Sequence, residues 1–176
     1  NHLSFVQQAR YFAYKGYSVI VPDMPGHGFS DGNPCRSIKE NAEWIYDLLK
    51  ELKAKDIVFV GHSQGCLVGL ELNKIYPELL KGIVFVSGSN TIPVNQFLLD
   101  LASSNPKKAY KMMVTWGHGK DGAMSIASWP GHSHFGEGFN LMNMNIEGAL
   151  KLDLEACNEY QDGEDASKKI NIPALA

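Results

Sequence analysis

The chain has few cysteines and no long apolar run. Only three cysteines, without a Cys-x-x-Cys pair, occur among its 176 residues: Cys35, Cys66 and Cys157. So sparse and odd a set predicts no disulfide framework and favours a reducing compartment, so we expect a cytoplasmic protein. The longest apolar runs, such as residues 83–86, are far too short to span a bilayer. We therefore expect no membrane partner.

The chain also lacks a strong charge of either sign. Its formal net charge is -3, from 16 basic and 19 acidic residues. This charge provides no global basic field, so we expect no nucleic-acid partner. The hydrophobic fraction of 44% is sufficient for a real core, and the length fits one domain of ordinary size.

Both ends of the chain are unusual. Residue 1 is Asn rather than Met, and residues 170–176 form an apolar run typical of the middle of a strand. The backbone groups of such a run need sheet neighbours. We therefore expect a fragment that is truncated at both ends.

The most informative feature is the sequence Gly-His-Ser-Gln-Gly at residues 61–65. Before it, residues 56–60 are mostly apolar and β-branched, which is typical of a buried strand. After it, residues 64–76 carry apolar side chains at near-helical spacing and stop at Pro77. A strand, Gly-x-Ser-x-Gly and a helix in this order are typical of a nucleophile elbow.

This turn predicts where the reactive groups lie. A tight turn lifts the Ser63 hydroxyl clear of the sheet and makes it the candidate nucleophile. It also places the Gln64 backbone N–H at the helix N-terminus, where it can donate to an oxyanion. At Gly61 and Gly65 we expect no room for a Cβ atom beside the strand and the helix.

Helices and strands alternate through the first half of the chain. Capping-box patterns predict helices that begin at Ser4 and Ser37, and the second helix has an apolar stripe that extends to Leu52. Residues 17–21 and 82–86 are strand-like. Strands that alternate with amphipathic helices predict an α/β fold with a parallel sheet flanked by helices.

The alternation stops after about residue 90. We expect residues 1–90 to be the first part of the core, 91–160 an inserted cap or lid, and 161–176 a linker and return strand. Residues 117–140 are glycine-rich and loop-like, and 161–169 have the composition of a solvated linker. The lid segment holds five of the six methionines, which would give it an adaptable apolar lining for a substrate.

A second motif supports the elbow. The sequence Asp-Met-Pro-Gly-His-Gly-Phe-Ser at residues 23–30 precedes residues 61–65 by about 35 positions. Together with the approach at 16–22, this pair resembles the signature of the α/β-hydrolase fold superfamily, in particular its serine esterase-like members. Residues 172–175 are similar to the strand that precedes the family's catalytic acid. The resemblance implies an α/β-hydrolase core, incomplete in this chain, with an inserted cap.

The resemblance implies a role for each residue of the elbow. Ser63 is the nucleophile, Gln64 supplies one oxyanion N–H through its backbone, and Gly61 and Gly65 permit the turn. His62 occupies the variable position before the serine, so it is not the base. The family's catalytic acid and histidine follow the serine in that order, and we expect both beyond residue 176.

The function implied by the resemblance is that of a serine hydrolase. It would act on a carboxylic ester or similar small-molecule acyl substrate through an acyl-enzyme, without a cofactor. Two alternatives stay open. One is a non-hydrolytic enzyme on this scaffold, such as a haloperoxidase-like, carbon–carbon hydrolase or acyltransferase member. The other is a non-catalytic binding protein on the same fold.

Other histidines offer a less favoured arrangement. Asp100 with His118, His132 or His134 has the chain order of an internal triad. His132 and His134 also form a His-x-His pair, but a pair without a third ligand is usually solvated, so we expect no metal site. Asp23 is expected to have a structural role in its loop. The sequence leaves the oligomeric state open.

Overall fold

The computed structural model describes residues 1–119 and 133–176. Its first elements are a 3₁₀-helix (His2–Phe5), α1 (Val6–Tyr14), α2 (Ile38–Glu51), β1 (Ile57–His62), α3 (Gln64–Ile75) and β2 (Leu80–Val86). They are followed by α4 (Gln96–Ser104), α5 (Pro106–His118), α6 (His134–Met142), α7 (Ala149–Glu159), α8 (Gly163–Lys168) and β3 (Ala174–Leu175). No described helix is long and apolar enough to cross a membrane.

The chain divides into two compact units. The first unit comprises Asn1–Pro34 and Gln96–Lys151, and the second comprises Cys35–Asn95 and Leu152–Ala176. The first holds the 3₁₀-helix, α1 and α4 to α6, while the second holds the sheet with α2, α3 and α8. The three segments expected from the sequence, with boundaries near residues 90 and 160, stay a prediction.

The sheet of the second unit is parallel, in the order β1-β2-β3. Val60 of β1 is paired with Val84 of β2, which is paired in turn with Leu175 of β3. Helix α3 connects β1 to β2, as parallel strands require. The predicted α/β class with a parallel sheet flanked by helices is therefore confirmed.

Helix α3 approaches the sheet closely because of one glycine. A Cβ atom at Gly69 would lie 2.8 Å from the Phe59 ring and 3.0 Å from the Ile83 Cδ1. Leu67 and Leu72 of the same helix are fully buried. The helix that follows Ser63 is thus fixed firmly against the strand that precedes it.

Helix α2 forms as its sequence predicts. Ser37 is the N-cap, and its hydroxyl accepts a hydrogen bond from Glu40 N–H at 3.1 Å. The apolar stripe is buried at four of its five predicted positions: Ile38, Ala42, Ile45 and Leu49. Leu52 was wrongly included in this stripe. It lies just after the helix ends at Glu51 and is 53% exposed.

Two predictions for the first unit are wrong. Residues 17–21 form no strand, because no hydrogen-bonded neighbour strand lies beside them in the part of the chain that is described. Ser4 is not an N-cap either, since it lies inside the 3₁₀-helix. Asn1 caps that helix instead and accepts a hydrogen bond from Leu3 N–H at 3.0 Å.

Two segments predicted as loop or linker contain helices. The glycine-rich segment 117–140 includes the end of α5 and most of α6, while residues 120–132 lie outside the described residues. The predicted linker 161–169 contains α8, whose Gly163 and Ala166 are buried. Lys74 Nζ of α3 lies 2.7 Å from Asp162 Oδ2 and so ties the start of α8 to the core of the second unit.

Asn73 is a buried polar residue without a visible partner. Its side chain is 1% exposed, and neither amide atom has a hydrogen-bond partner among the described residues. An unsatisfied buried polar group costs about 1–3 kcal/mol. We therefore expect the Asn73 amide to contribute little to the free energy of unfolding.

We expect Asn73→Ala to change the free energy of unfolding by no more than about 1 kcal/mol, since loss of the unsatisfied amide offsets the cavity that it leaves. The neighbouring Leu72→Ala is the matched control, because Leu72 is 0% exposed. Leu72→Ala should lower the free energy of unfolding by about 2–5 kcal/mol. Urea unfolding of both variants measures the difference. Equal losses would mean that the Asn73 amide is satisfied in solution.

Candidate active site

Ser63 occupies the junction between β1 and α3. β1 ends at His62, α3 begins at Gln64, and the Ser63 backbone between them has φ 51° and ψ -118°. A positive φ is uncommon for a residue other than glycine, and such strain is typical of functional sites. The Ser63 side chain is exposed. The strand, turn and helix predicted around this serine are all present.

The neighbouring strand, β2, holds the turn by a backbone hydrogen bond. Ser63 N–H donates to the Val86 carbonyl of β2 at 3.0 Å, and Cys66 N–H donates to the Ser63 carbonyl at 2.9 Å. The serine backbone is therefore held on both sides while its hydroxyl is left exposed. Ser87, the residue after β2, also has a positive φ of 49° and an exposed side chain.

The two glycines of the elbow differ in their surroundings. A Cβ atom at Gly61 would overlap the Gly65 carbonyl oxygen and would lie 2.8 Å from Cys66 N. At Gly65, by contrast, no described atom lies within 4 Å of the Cβ position. The steric expectation for Gly61 is confirmed. The expectation for Gly65 is wrong, because its Cβ position is open among the described residues.

Gln64 is anchored by its side chain. Its Nε2 donates to the Asp153 carbonyl in α7 at 3.0 Å. The Gln64 backbone N–H is the first of α3, and it has no hydrogen-bond partner among residues 1–119 and 133–176. An N–H at this position can donate a hydrogen bond to an anionic oxygen.

Cys66 packs against the backbone of the elbow. Its buried Sγ donates to the Gly61 carbonyl at 3.3 Å and lies 3.6 Å from the Val86 carbonyl. A Cβ atom at Gly88 would overlap this sulfur. Burial raises the pKa of the Cys66 thiol, and its hydrogen bonds lower it less. This thiol is therefore protonated at neutral pH, and it packs against the turn.

Cys157 beside Gln64 is also protonated at neutral pH. Burial, with the nearby charge of Asp153, raises the pKa of its thiol to about 12. A thiol rather than a thiolate is a poor nucleophile. Neither Cys66 nor Cys157 therefore competes with Ser63 as a nucleophile at this turn.

In the first unit, Asp23 organises the loop of the second motif. Its carboxylate accepts hydrogen bonds from His2 N–H at 2.6 Å and Phe29 N–H at 3.0 Å, and its Oδ2 lies 2.8 Å from His2 Nδ1. A Cβ atom at Gly28 would overlap this carboxylate. Ser30 closes the loop by donating to the Asp23 carbonyl at 2.7 Å. These contacts agree with a structural role for Asp23.

The contacts of Asp23 predict a dependence of stability on pH. Burial alone would raise its pKa, but the hydrogen bonds from Phe29 and His2 outweigh burial and lower the pKa below its ordinary value of 3.8. A carboxyl whose pKa is lowered by folding stabilises the folded state above about pH 4. This contribution is lost as the pH falls through the lowered pKa.

We therefore expect Asp23→Asn to lower the free energy of unfolding by about 1–3 kcal/mol at pH 7. The difference from the parent protein should shrink as the pH falls from 4 towards 2, because Asp23 itself becomes neutral. Urea unfolding at pH 7, 4 and 3 measures it. The control is Asp31→Asn, which removes an exposed carboxyl from the same loop. A difference that stays constant with pH would contradict the role given to the Asp23 charge.

Asp100, His118 and His134 of the less favoured triad lie in the first unit. Asp100 accepts a hydrogen bond from Gln96 Nε2 at 2.8 Å, and the ring of His118 stacks on that of His134 with centroids 6.1 Å apart. His132 lies outside the described residues. Ser63 belongs to the second unit, so the internal triad stays a prediction. Where the structure is described, no group of three or more His, Cys, Asp or Glu could hold a metal ion.

Sequence reasoning missed the anchor of the Gln64 side chain. The bond from Gln64 to Asp153 joins residues 89 positions apart, and no local pattern indicates it. The contact between the His2 ring and the Asp23 carboxylate was also missed, because no local pattern indicates it. In that case the short spacing of the second motif at least indicated that Asp23 shapes its own loop.

The chain is similar to known proteins of one fold family. A family model described as alpha/beta hydrolase fold matches residues 1–148. "Putative esterase/lipase 2" of Mycoplasma pneumoniae is 29% identical over 89 residues, which are 49% of this chain and 33% of that protein. The match thus spans about a third of the curated relative.

Two solved structures are similar in fold. An esterase from Exiguobacterium antarcticum superposes with a TM-score of 0.82 at 16% identity, over 99% of this chain and 67% of that one. A thermophilic esterase is 26% identical with a TM-score of 0.65, over 86% of this chain and 57% of that one. At 16% identity the first likeness establishes the fold alone.

Proposed function

The chain belongs to the α/β-hydrolase fold family, and from this membership we propose that it is a serine hydrolase whose nucleophile is Ser63. The observation that carries the proposal is the Ser63 backbone, with φ 51° between a strand end and a helix start. An exposed serine in a strained turn of this kind is the nucleophile of serine hydrolases on this fold. Its substrate would be a carboxylic ester or a similar acyl compound.

The proposed reaction is acyl transfer to water. Ser63 Oγ attacks the carbonyl carbon, a histidine takes the hydroxyl proton, and the alcohol leaves after receiving that proton. Water then attacks the acyl-enzyme and releases the acid. His62 is the only histidine in the sequence of the second unit, and it precedes the nucleophile. His62 is therefore not the base, and we propose that the histidine and its acid partner follow Ser63 in the chain, as the family's order implies.

The oxyanion would be held by the Gln64 backbone N–H. This group is the first N–H of α3, so it carries the positive end of the helix dipole. One such donor contributes about 3 kcal/mol to the stabilisation of the transition state. The anchor of the Gln64 side chain on Asp153 would keep this N–H in place as the charge develops.

Ester hydrolysis is favoured over the other reactions of the fold by the names of two relatives. The curated protein at 29% identity and the solved structure at 26% identity are both named as esterases. Haloalkane dehalogenases and epoxide hydrolases use a carboxylate as the nucleophile at this position. This chain has a serine there, which disfavours those two reactions.

The proposal is tested with the full-length protein and a panel of p-nitrophenyl esters of increasing acyl length. We expect acid and alcohol in equal amounts, formed without any added cofactor. Turnover that requires peroxide or an acyl acceptor other than water would favour the non-hydrolytic alternative. Binding of the esters without any turnover would favour the binding protein.

A further inference from the structure

A pocket lies between α5 and α6, in the unit that does not contain Ser63. Its volume is about 370 Å³, which is within the usual range of small-molecule sites. The pocket is lined by two phenylalanines, one lysine and three smaller residues: Phe135, Phe139, Lys111, Val114, Thr115 and Gly136. Neither Ser63 nor any other residue of the elbow lines this pocket, so its ligand is inferred independently of the proposed reaction.

The walls of the pocket are apolar and fixed. The Phe139 ring meets the buried Tyr110 ring edge-on with centroids 6.4 Å apart, and the Phe135 ring lies 5.0 Å from the His118 ring. A Cβ atom at Gly138 would lie only 3.2 Å from Val114, so the missing side chain lets the two helices approach. The rings therefore form a pre-arranged surface for an aliphatic chain.

The one charged group of the lining is a cation. Lys111 Nζ lies 5.8 Å from the centroid of the Phe139 ring, and no carboxylate of the described residues pairs with it. Helix α5 also carries Lys107 and Lys108 and contains no acidic residue. Glu137 on α6 lies 4.0 Å from His134, which offers it a local partner. Lys111 is thus the charged residue of the lining, and an apolar pocket beside this cation suits an anionic amphiphile.

We infer that this pocket binds an aliphatic monocarboxylate. The carboxylate pairs with Lys111 at the surface, and the chain lies along Phe135 and Phe139. The side chain of Thr115 donates to the Lys111 carbonyl at 2.8 Å, so its oxygen is left as an acceptor and does not compete for the carboxylate. Each methylene added to the ligand within the pocket should raise affinity roughly threefold to fourfold.

The inference is tested by isothermal titration of the protein with butanoate, hexanoate and octanoate at low ionic strength. We expect saturable binding that tightens with chain length. Lys111→Met should weaken octanoate binding roughly fivefold, the upper range for an exposed ion pair. Lys108→Met removes an equal charge from an exposed position on the same helix outside the lining, and it should leave the affinity for octanoate nearly unchanged.

A neutral ligand separates charge from packing. Binding of 1-octanol should be insensitive to Lys111→Met, since methionine keeps the aliphatic stem of lysine. Absence of saturable octanoate binding, or equal losses in Lys111→Met and Lys108→Met, would overturn the inference. So would an equal loss of octanol and octanoate binding in Lys111→Met. Lys111 is exposed, so thermal unfolding of the variant should match that of the parent protein and exclude misfolding as the cause.

Discussion

Replacing Ser63 with alanine is expected to lower ester turnover by the full-length protein by roughly 10⁴- to 10⁶-fold, because the proposed acyl-enzyme forms on the Ser63 hydroxyl. The loss should appear in kcat, while KM changes little, since the Ser63 hydroxyl contributes more to the transition state than to substrate binding. Alanine also keeps the Cβ atom and the strained backbone of this position. The variant should therefore fold as the parent protein does, which circular dichroism and urea unfolding can verify.

The matched control is Ser87→Ala. Ser87 is also exposed, also has a positive φ, and follows the strand that pairs with β1. Its replacement should leave turnover within a few-fold of the parent value, because it does not begin a helix and offers no elbow. A Ser63→Ala variant that keeps its turnover, or a Ser87→Ala variant that loses as much, would contradict the assignment of the nucleophile.

The second large effect is expected at Gly61. An alanine there would place its Cβ atom over the Gly65 carbonyl, so β1 and α3 must move apart. Overpacking of this kind costs about 1–3 kcal/mol of stability. The same movement would shift Ser63 and the Gln64 N–H relative to each other. We therefore expect roughly a 100-fold loss of kcat in addition, as displacements of about 1 Å can cause.

Gly65→Ala is the control for Gly61→Ala. Both substitutions add one methyl group to the same turn, but the Gly65 position is open among the described residues and its φ is not positive. Gly65→Ala should leave the free energy of unfolding within about 0.5 kcal/mol of the parent value. Urea unfolding and steady-state kinetics of both variants measure the contrast. Similar effects at the two positions would mean that the turn is not closest at Gly61.

The sequence predicts the elbow and α2 well because their signals are local. The cap at Ser37 and the stripe of α2 depend on residues three or four positions apart. The elbow likewise lies within five residues, so its strand, turn and helix could be located without a structure. The choice of a parallel sheet follows, since α3 must cross from β1 to β2.

The predictions that failed depend on contacts between distant residues. Residues 17–21 have strand composition, but a strand also requires a hydrogen-bonded neighbour, and composition does not provide one. The segment 161–169 is polar, yet α8 forms because Gly163 and Ala166 pack against the rest of the second unit. The motif predicts a crowded Gly65, whereas the space at a Cβ atom depends on which atoms of the fold lie around it.

The central claim is that Ser63 is the nucleophile, and covalent labelling tests it most directly. The full-length protein is treated with a fluorophosphonate, which reacts with activated serines, and the modified peptide is identified by mass spectrometry. We predict one adduct, on Ser63, formed at the rate at which esterase turnover is lost. Loss of turnover with the adduct on another residue, or ester turnover that persists with Ser63 fully modified, would contradict the claim.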